Sequence, residues 1–457
     1  MKGPIWEMVE RYAEQGLLRM HMPGHKGRLP AWDAALDVTE VPGTDSLYEP
    51  TEGIAEAEQL VARRWGAGRS FLLVNGSTAG IQAMVFWAAQ QGRTLVLGRD
   101  CHISAVHACA LAGVQPLWVN PAWSQTEQTF GFDGAAARSV LRSAQRPAYL
   151  SVYPNYFGCC ADLAALAQDC PDAALLTDEA HGAHFAFSGR LPADAGTFSA
   201  LWVAGAHKTL PAPTQTAFLH AAATVEGDDV KRLLRALTTT SPSYLLMMGL
   251  DDGRAWMEAN TVALEGIIDA CQRLRREVNA IPGLRCWRRE DILPLGWAAL
   301  DPTRITVDVR GLGMTGWQAQ DTLQVLGVQA EMADLYRVVF IMTSMDGERE
   351  FESLLAALRR LAAQKGEGVP AGLGELPQHE QPALTLREAW LAPAVAVPLA
   401  QAIGRVAVEP FGAYPPGIAL CMPGERIMQE AVETARQAQA CGGSLFGVRD
   451  GHILVVK

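Results

Sequence analysis

The 457-residue chain reads as an α/β protein: a large, mostly parallel sheet flanked by helices, followed by smaller α/β units toward the C-terminus. Three observations predict this. From about residue 70 to residue 205, short apolar runs of strand length alternate with helical stretches of about a dozen residues, the pattern of β–α–β connections. Polar residues with chemical potential follow directly after several of those runs, where open α/β sheets place their ligands. Beyond residue 250, a long helical stretch leads into a second, smaller set of strands.

Taken in order, residues 1–50 form an arm: one short helix, then HMPGHKGRLP and VPGTDSLYEP, both rich in turn formers. A helical pattern runs from Ile54 to Trp65. SFLLVN, TLVLG, PLWVN, AYLSVYP, ALLTDEA and ALWVAG read as strands, with helices over AGIQAMVFWAAQQ and HISAVHACALA. MEANTVALEGIIDACQRLRREVN is the connecting helix. RITVDVRG, VQAEMA and RVVFIMTS are strands of the smaller unit, closed by the helix FESLLAALRRLAAQ. The tail carries a turn cluster, AYPPGIALCMPGE, and ends in a strand, HILVVK. The expected organisation is an arm over 1–50, a large domain over 51–250, a connecting helix and small domain over 251–365, a linker over 366–383 and a C-terminal domain over 384–457.

Composition narrows the function class. Hydrophobic residues make up 49% of the chain, enough for several cores, and the net charge of -11 argues against a nucleic-acid partner. No apolar run reaches membrane-spanning length, and the amphipathic N-terminus does not read as a signal peptide. Nine scattered cysteines without a CxxC pair read as free thiols, so the expected compartment is the cytoplasm.

The segment GAHKTLPAPTQ (205–215) isolates Lys208 among apolar neighbours. Burying an ammonium is costly unless it is paired or chemically committed, and a lysine whose charge is suppressed forms Schiff bases. The bland alternative is a surface-turn lysine. VNGSTAG (74–80) links a strand to a helix: Gly76 permits a tight turn, Ser77 and Thr78 offer hydroxyls, and the helix start offers free N–H groups, together a phosphate site. Alternatively, either hydroxyl merely caps the helix. In LLTDEAHGAH, Asp178 ends an apolar strand, placed to keep a heteroaromatic nitrogen protonated or simply to cap a helix. His102 follows another strand and offers a stacking face or a core contact. The pairs His181/His184 and His21/His25 have metal-like spacings, but Gly182, Pro23 and Gly24 argue against a metal, and none is expected. In combination, the phosphate turn, histidine, aspartate and lysine supply each contact that pyridoxal phosphate needs.

These residues stand inside longer motifs: HMPGHKG (21–27), VPGTDSLYEPTEGI (41–54), VNGSTAGIQAM (74–84), CHIS (101–104), PNYFGCCADL (154–163), DEAHGAH (178–184), HKTLPAPTQ (207–215), TTSPSYLLM (239–247), DPTRITVDVRGLGMTG (301–316), AEMADLY (330–336) and YPPGIALCMPGE (414–425). Over nearly its full length the chain resembles the Orn/Lys/Arg decarboxylases, in their short Gram-positive form. These are pyridoxal-phosphate enzymes with the aspartate-aminotransferase-type (fold-type I) large domain.

The resemblance implies decarboxylation of a basic amino acid, arginine favoured over lysine and ornithine. It implies a Schiff base on Lys208, Asp178 on the pyridinium nitrogen and His102 stacked on the ring. Gly76, Ser77 and Thr78 would hold the phosphate, with His181 and His207 beside the cofactor. His207 or Lys208 would return a proton to the substrate. Family members are dimers or larger, so Thr239, Thr240 or Ser241 is expected to reach a neighbour's phosphate. Glu425, and less strongly Asp45, are expected to meet the substrate's distal cation.

The chain departs from the family's pattern at Gly205 and Ala206, where serine and threonine are usual, and at Ile103, Asn155 and Arg337. Two other readings therefore stay open. Arg337, a surface or interface residue on the plainest view, would as a carboxylate clamp favour an aminotransferase or another lyase reaction. Gly205 and Ala206 would suit a non-catalytic cofactor-binding or oligomeric partner.

Overall fold

The computed structural model describes residues 2–30, 33–376, 379, 381–414 and 417–457, with only the backbone of residue 418. Pro415 and Pro416 of the AYPPGIALCMPGE cluster lie outside the described residues.

The arm begins with α1 (Pro4–Glu14), started by a proline at its first position. Ile5, Met8, Val9 and Tyr12 repeat at helical spacing and are buried. α2 (Gly53–Trp65) follows the arm.

The large sheet contains β1 (Arg69–Leu73), β2 (Thr94–Gly98), β3 (Leu117–Val119), β4 (Pro147–Val152), β5 (Ala174–Glu179), β6 (Leu201–Ala204) and β7 (Ala217–Ala221), in the spatial order β1-β7-β6-β5-β4-β2-β3. Neighbours from β3 to β6 are parallel. β7 is antiparallel to both β6 and β1, and β1 touches no other strand of the sheet. The sheet is apolar on both faces, as a sheet covered on both sides requires. Leu72, Val96, Tyr149, Leu175, Trp202 and Phe218 pack into one core, whereas Phe71, Leu73, Leu97, Leu150, Leu176, Val203 and Leu219 pack into another. The alternation follows the two-residue period of a strand.

The crossovers that matter for the site are α3 (Gly76–Gln90) after β1, α4 (Ile103–Ala112) after β2, and the single turn α5 (Ala206–Thr209) after β6. β7 is not among the strands expected from sequence, because AFLHA falls outside the strand–helix alternation: only the single turn α5 stands between it and β6.

The predicted connecting helix is in fact two, α6 (Tyr244–Ala259) and α7 (Thr261–Asn279), broken at Asn260. A four-stranded antiparallel sheet follows: β8 (Arg285–Cys286), β9 (Arg304–Asp308), β10 (Met332–Ala333) and β11 (Arg337–Ile341), in the order β8-β9-β11-β10. It packs with α7 and α8 (Glu348–Ala362) around a separate apolar core.

The C-terminal region holds α9 (Leu386–Leu391), β12 (Ala394–Pro398), β13 (Phe411–Tyr414), β14 (Ile418–Cys421), α10 (Gln429–Ala440), β15 (Ser444–Phe446), β16 (Val448–Arg449) and β17 (His452–Val456). Two three-stranded sheets, β12-β17-β16 and β14-β13-β15, result. The segment read as a turn cluster thus contains the antiparallel pair β13–β14. Among the described residues, no helix is long and apolar enough to cross a membrane.

Candidate functional site

The candidate site residues sit on the loops that leave the C-terminal ends of the sheet's strands, the edge at which open α/β sheets place their ligands. The turn from β1 into α3 depends on Gly76, whose φ of +72° suits glycine. Its N–H donates to the Gln215 carbonyl at 2.8 Å, tying this turn to the loop beyond Lys208. Ser77 Oγ is buried with no hydrogen-bond partner, while Thr78 is exposed at the same helix start. After β2, His102 caps α4: its Nδ1 accepts the Ser104 N–H at 3.3 Å and lies 2.7 Å from Ser104 Oγ. The rest of the imidazole remains open to solvent.

Asp178, near the end of β5, is buried, and its Oδ1 accepts the Ala180 N–H at 3.2 Å. Burial pushes its carboxyl upward, while His102 and Lys208 pull it back. Lys208 stands in α5, and burial lowers its pKa against the opposing pull of Asp178. Lys208, Asp178 and His102 therefore lie within electrostatic reach of one another.

Lys208 Nζ is 3.0 Å from His181 Nε2, and His181 Nδ1 is 3.4 Å from Arg304 Nη2. A guanidinium only donates, so it assigns His181 Nδ1 as the acceptor. Burial, with the nearby charges of Lys208 and Arg304, holds His181 well below its usual pKa. The neutral ring then carries its proton on Nε2, the nitrogen that faces Lys208 Nζ. His207 Nδ1 donates to the Thr216 carbonyl at 2.9 Å, leaving its Nε2 as the free acceptor.

Behind this cluster, His184 Nε2 meets Asp301 Oδ2 at 3.2 Å, joining the large sheet to the strand-bearing DPTR segment. The other predicted histidines are engaged too: His21 with Tyr12, and His25 with Asp37. Among the described residues, no group of three or more metal-ligand side chains converges. Asn155 shapes the loop after β4, its Oδ1 accepting the N–H groups of Phe157 and Cys159.

Several expected site residues lie elsewhere. Glu425 is buried against Arg99 in a bidentate pair, at 2.8 and 2.9 Å, and also accepts the Met422 N–H. Both of its carboxylate oxygens are thus engaged within the chain. Asp45 is likewise consumed: its carboxylate accepts the N–H groups of Ser46, Thr51, Glu52 and Ile54, the last two at the start of α2. Arg337 is neither a surface residue nor a substrate clamp. It is fully buried, paired with Asp334 at 2.7 Å and packed over Phe157 and Trp287. Its pairing removes the one support for the transaminase reading. The Thr239 N–H donates to Asn75 Oδ1 at 3.4 Å, so the TTS segment lies at the lip of its own chain's β1–α3 turn, with Thr240 and Ser241 exposed.

Three residues not singled out from sequence join the candidate site. Arg304 is buried, with Nε and Nη1 lacking partners. The exposed Glu331 acts electrostatically on Lys208, Arg304 and Tyr156. The Tyr156 ring packs on His181 at 4.4 Å. Each lies inside a motif that carries the family resemblance, PNYFGCCADL, DPTRITVDVRGLGMTG or AEMADLY, and membership of those motifs is the signal that could have found it.

Residues 3–350 match the family described as Orn/Lys/Arg decarboxylase, major domain, and residues 376–441 match its C-terminal domain. An arginine decarboxylase of Bacillus anthracis is 30% identical over 98% of this chain and 95% of its own length. The constitutive lysine decarboxylase structure of Escherichia coli superposes with a TM-score of 0.83 at 18% identity, covering 99% of this chain and 82% of that one. A structure of SPT with pyridoxal phosphate covers 68% of this chain and 76% of its own at a TM-score of 0.53 and 15% identity.

Proposed function

The chain belongs to the Orn/Lys/Arg decarboxylase family, and on that premise we propose that it converts arginine to agmatine and carbon dioxide, with lysine and ornithine as weaker candidates. It is a pyridoxal-phosphate-dependent carboxy-lyase of a basic amino acid. The observation that carries the choice of arginine is the near full-length match to an arginine decarboxylase.

The residues at the strand ends suit the cofactor. Ser77 Oγ is a buried hydroxyl in want of a partner, next to the free N–H groups of a fifteen-residue helix. Gly205 leaves open the space in front of it, since a Cβ there would stand 3.1 Å from Ser77 Oγ. In this reading Gly76, Ser77 and Thr78 would hold the phosphate, and Thr240 would reach the phosphate of a neighbouring subunit. Asp178 would pair with the ring nitrogen, His102 would stack on the ring, and Lys208 would be the covalent anchor. Bound there, the cofactor supplies the electron sink for the pair left when the α-carboxylate departs.

The chain's own groups do the rest. Asp178, held close to His102 and Lys208, keeps the ring nitrogen protonated. His181, oriented by Arg304, keeps Lys208 Nζ in place. Lys208, or His207 through its free Nε2, carries the proton returned to the α-carbon. With Glu425 and Asp45 engaged within the chain, Glu331, exposed and within electrostatic reach of Lys208, offers a carboxylate to the distal cation. Gly205 reads as a packing requirement rather than a sign of lost function.

The test is a product assay. Purified protein with excess pyridoxal phosphate is incubated with arginine, lysine or ornithine, and amine and carbon dioxide are quantified. Agmatine as the main amine is expected. Cadaverine or putrescine as the main product would overturn the choice of arginine, and a keto acid without carbon dioxide would overturn decarboxylation.

A further inference from the structure

We propose that the C-terminal domain is a positioning element for His102, acting through the buried Glu425–Arg99 pair. This rests on the reading of His102 as the residue that covers the cofactor ring.

Arg99 and His102 belong to one tight loop after β2. The loop is closed by Cys101 N–H donating to the Gly98 carbonyl at 3.0 Å, and tied to β3 by Arg99 N–H donating to the Val119 carbonyl at 3.0 Å. The Arg99 guanidinium lies over Trp118 at 5.2 Å and donates through both terminal nitrogens to Glu425. Both residues are 95% or more removed from solvent.

Glu425 is itself rigidly held. Gly424, at φ +87°, accepts the N–H groups of Ala383 and Leu384 at 2.8 and 3.2 Å, and the Ala407 N–H donates to the Glu425 carbonyl at 3.0 Å. A Cβ on Gly424 would stand 2.2 Å from the Leu384 carbonyl oxygen, so the turn is built for close approach.

A second contact grips the other side of the same unit. Trp390 of α9 stacks on His107 of α4 at 5.8 Å and 14°, and the Leu386 N–H donates to Gln115 Oε1 at 2.9 Å. The C-terminal domain thus holds both the loop before His102 and the helix that His102 caps.

Energetics point the same way. A buried ion pair gains little over apolar residues of similar size, because desolvation offsets the attraction, and its best-attested use is to specify register. A bidentate arginine–carboxylate fork fixes orientation as well as distance. The register specified here is that of the loop carrying His102.

The test is a double-mutant cycle read by cofactor binding to apo protein, followed by cofactor absorbance and visible circular dichroism. Glu425→Gln is expected to weaken pyridoxal phosphate binding roughly tenfold and to reduce the dichroism of the bound cofactor. His102→Ala is expected to do the same, and the double variant is expected to be no weaker than His102→Ala alone. Because Glu425→Gln leaves Arg99 unpaired and risks misfolding, the paired variant Arg99→Met/Glu425→Leu is measured beside it. It is expected to keep the melting temperature and still lose the affinity. Wild-type affinity and dichroism in the paired variant, or losses that multiply between Glu425→Gln and His102→Ala, would overturn the proposal. If the wild type takes up no cofactor, or if His102→Ala binds it normally, the reading of the site fails, and the positioning role falls with it.

Discussion

Gly205→Ser replaces a residue that departs from the family pattern with the usual one, and the structure predicts that this will do harm. A Cβ at 205 would stand 2.5 Å from the Ala180 carbonyl oxygen, 3.2 Å from Ala180 Cα and 3.1 Å from Ser77 Oγ. Ordinary contact begins near 3.4 Å, so the loops leaving β5 and β6 must part by about 0.9 Å. Those loops continue directly from paired strands, with Glu179 opposite Ala204, and have little room to give. Overpacking of this kind costs about 1–3 kcal/mol, a drop of a few degrees in melting temperature. The added group also crowds Ser77 Oγ, so cofactor affinity falls although a hydroxyl has been gained. Calorimetry of the apo protein, with cofactor titration alongside, measures both. A Gly205→Ser variant with unchanged melting temperature and tighter cofactor binding would refute the reasoning.

The same geometry sets other expectations. Burial alone would push the Asp301 carboxyl up, but His184, Arg304 and Thr303 together outweigh it and hold it at about 2. The stability this contributes is present above pH ~4 and is lost as pH falls through about 2. Asp301→Asn should cost about 3–5 kcal/mol at pH 7, and denaturant titrations should show the gap from wild type narrowing only in strong acid. Arg337→Met strands the buried Asp334, so it should lower the unfolding midpoint by a similar free energy while the folded protein keeps its KM. A tenfold rise in KM would restore Arg337 as a substrate ligand. Glu331→Gln should raise KM for the basic substrate about tenfold with a smaller change in kcat, the pattern of a lost binding contact. Unchanged steady-state kinetics would remove Glu331 from the site.

The sequence yields the large sheet readily because its strands are continuous apolar runs and its functional turns carry Gly76, Asp178 and Lys208 at strand ends. It hides what depends on distant partners. Glu425 has the look of an available carboxylate until Arg99, 326 residues away, is seen to neutralise it. Asp45 resembles a free acid until four backbone N–H groups close on it. Arg337 reads as a surface residue because nothing local announces that Phe157 and Trp287 enclose it. Arg304 and Glu331 are missed for the same reason: Arg304 opens a strand of the smaller sheet, Glu331 immediately precedes another, and their place near Lys208 arises only when the two units pack. Gly205 reads as a lost hydroxyl, since the approach of Ala180 is a fact of three dimensions.

The pairing of β1 with β7 alone has a consequence for synthesis. Arg69 registers with Ala221, so the first strand to leave the ribosome waits for about 150 further residues before it has a partner. At 5–20 residues per second this is roughly 7–30 seconds. The turn behind β1, with Gly76 and Ser77, is therefore finished late, after the lysine loop has been made. A nascent chain has no competent cofactor pocket until β7 closes the sheet edge, and until then β1 is an unpaired apolar strand that chaperones are expected to shield.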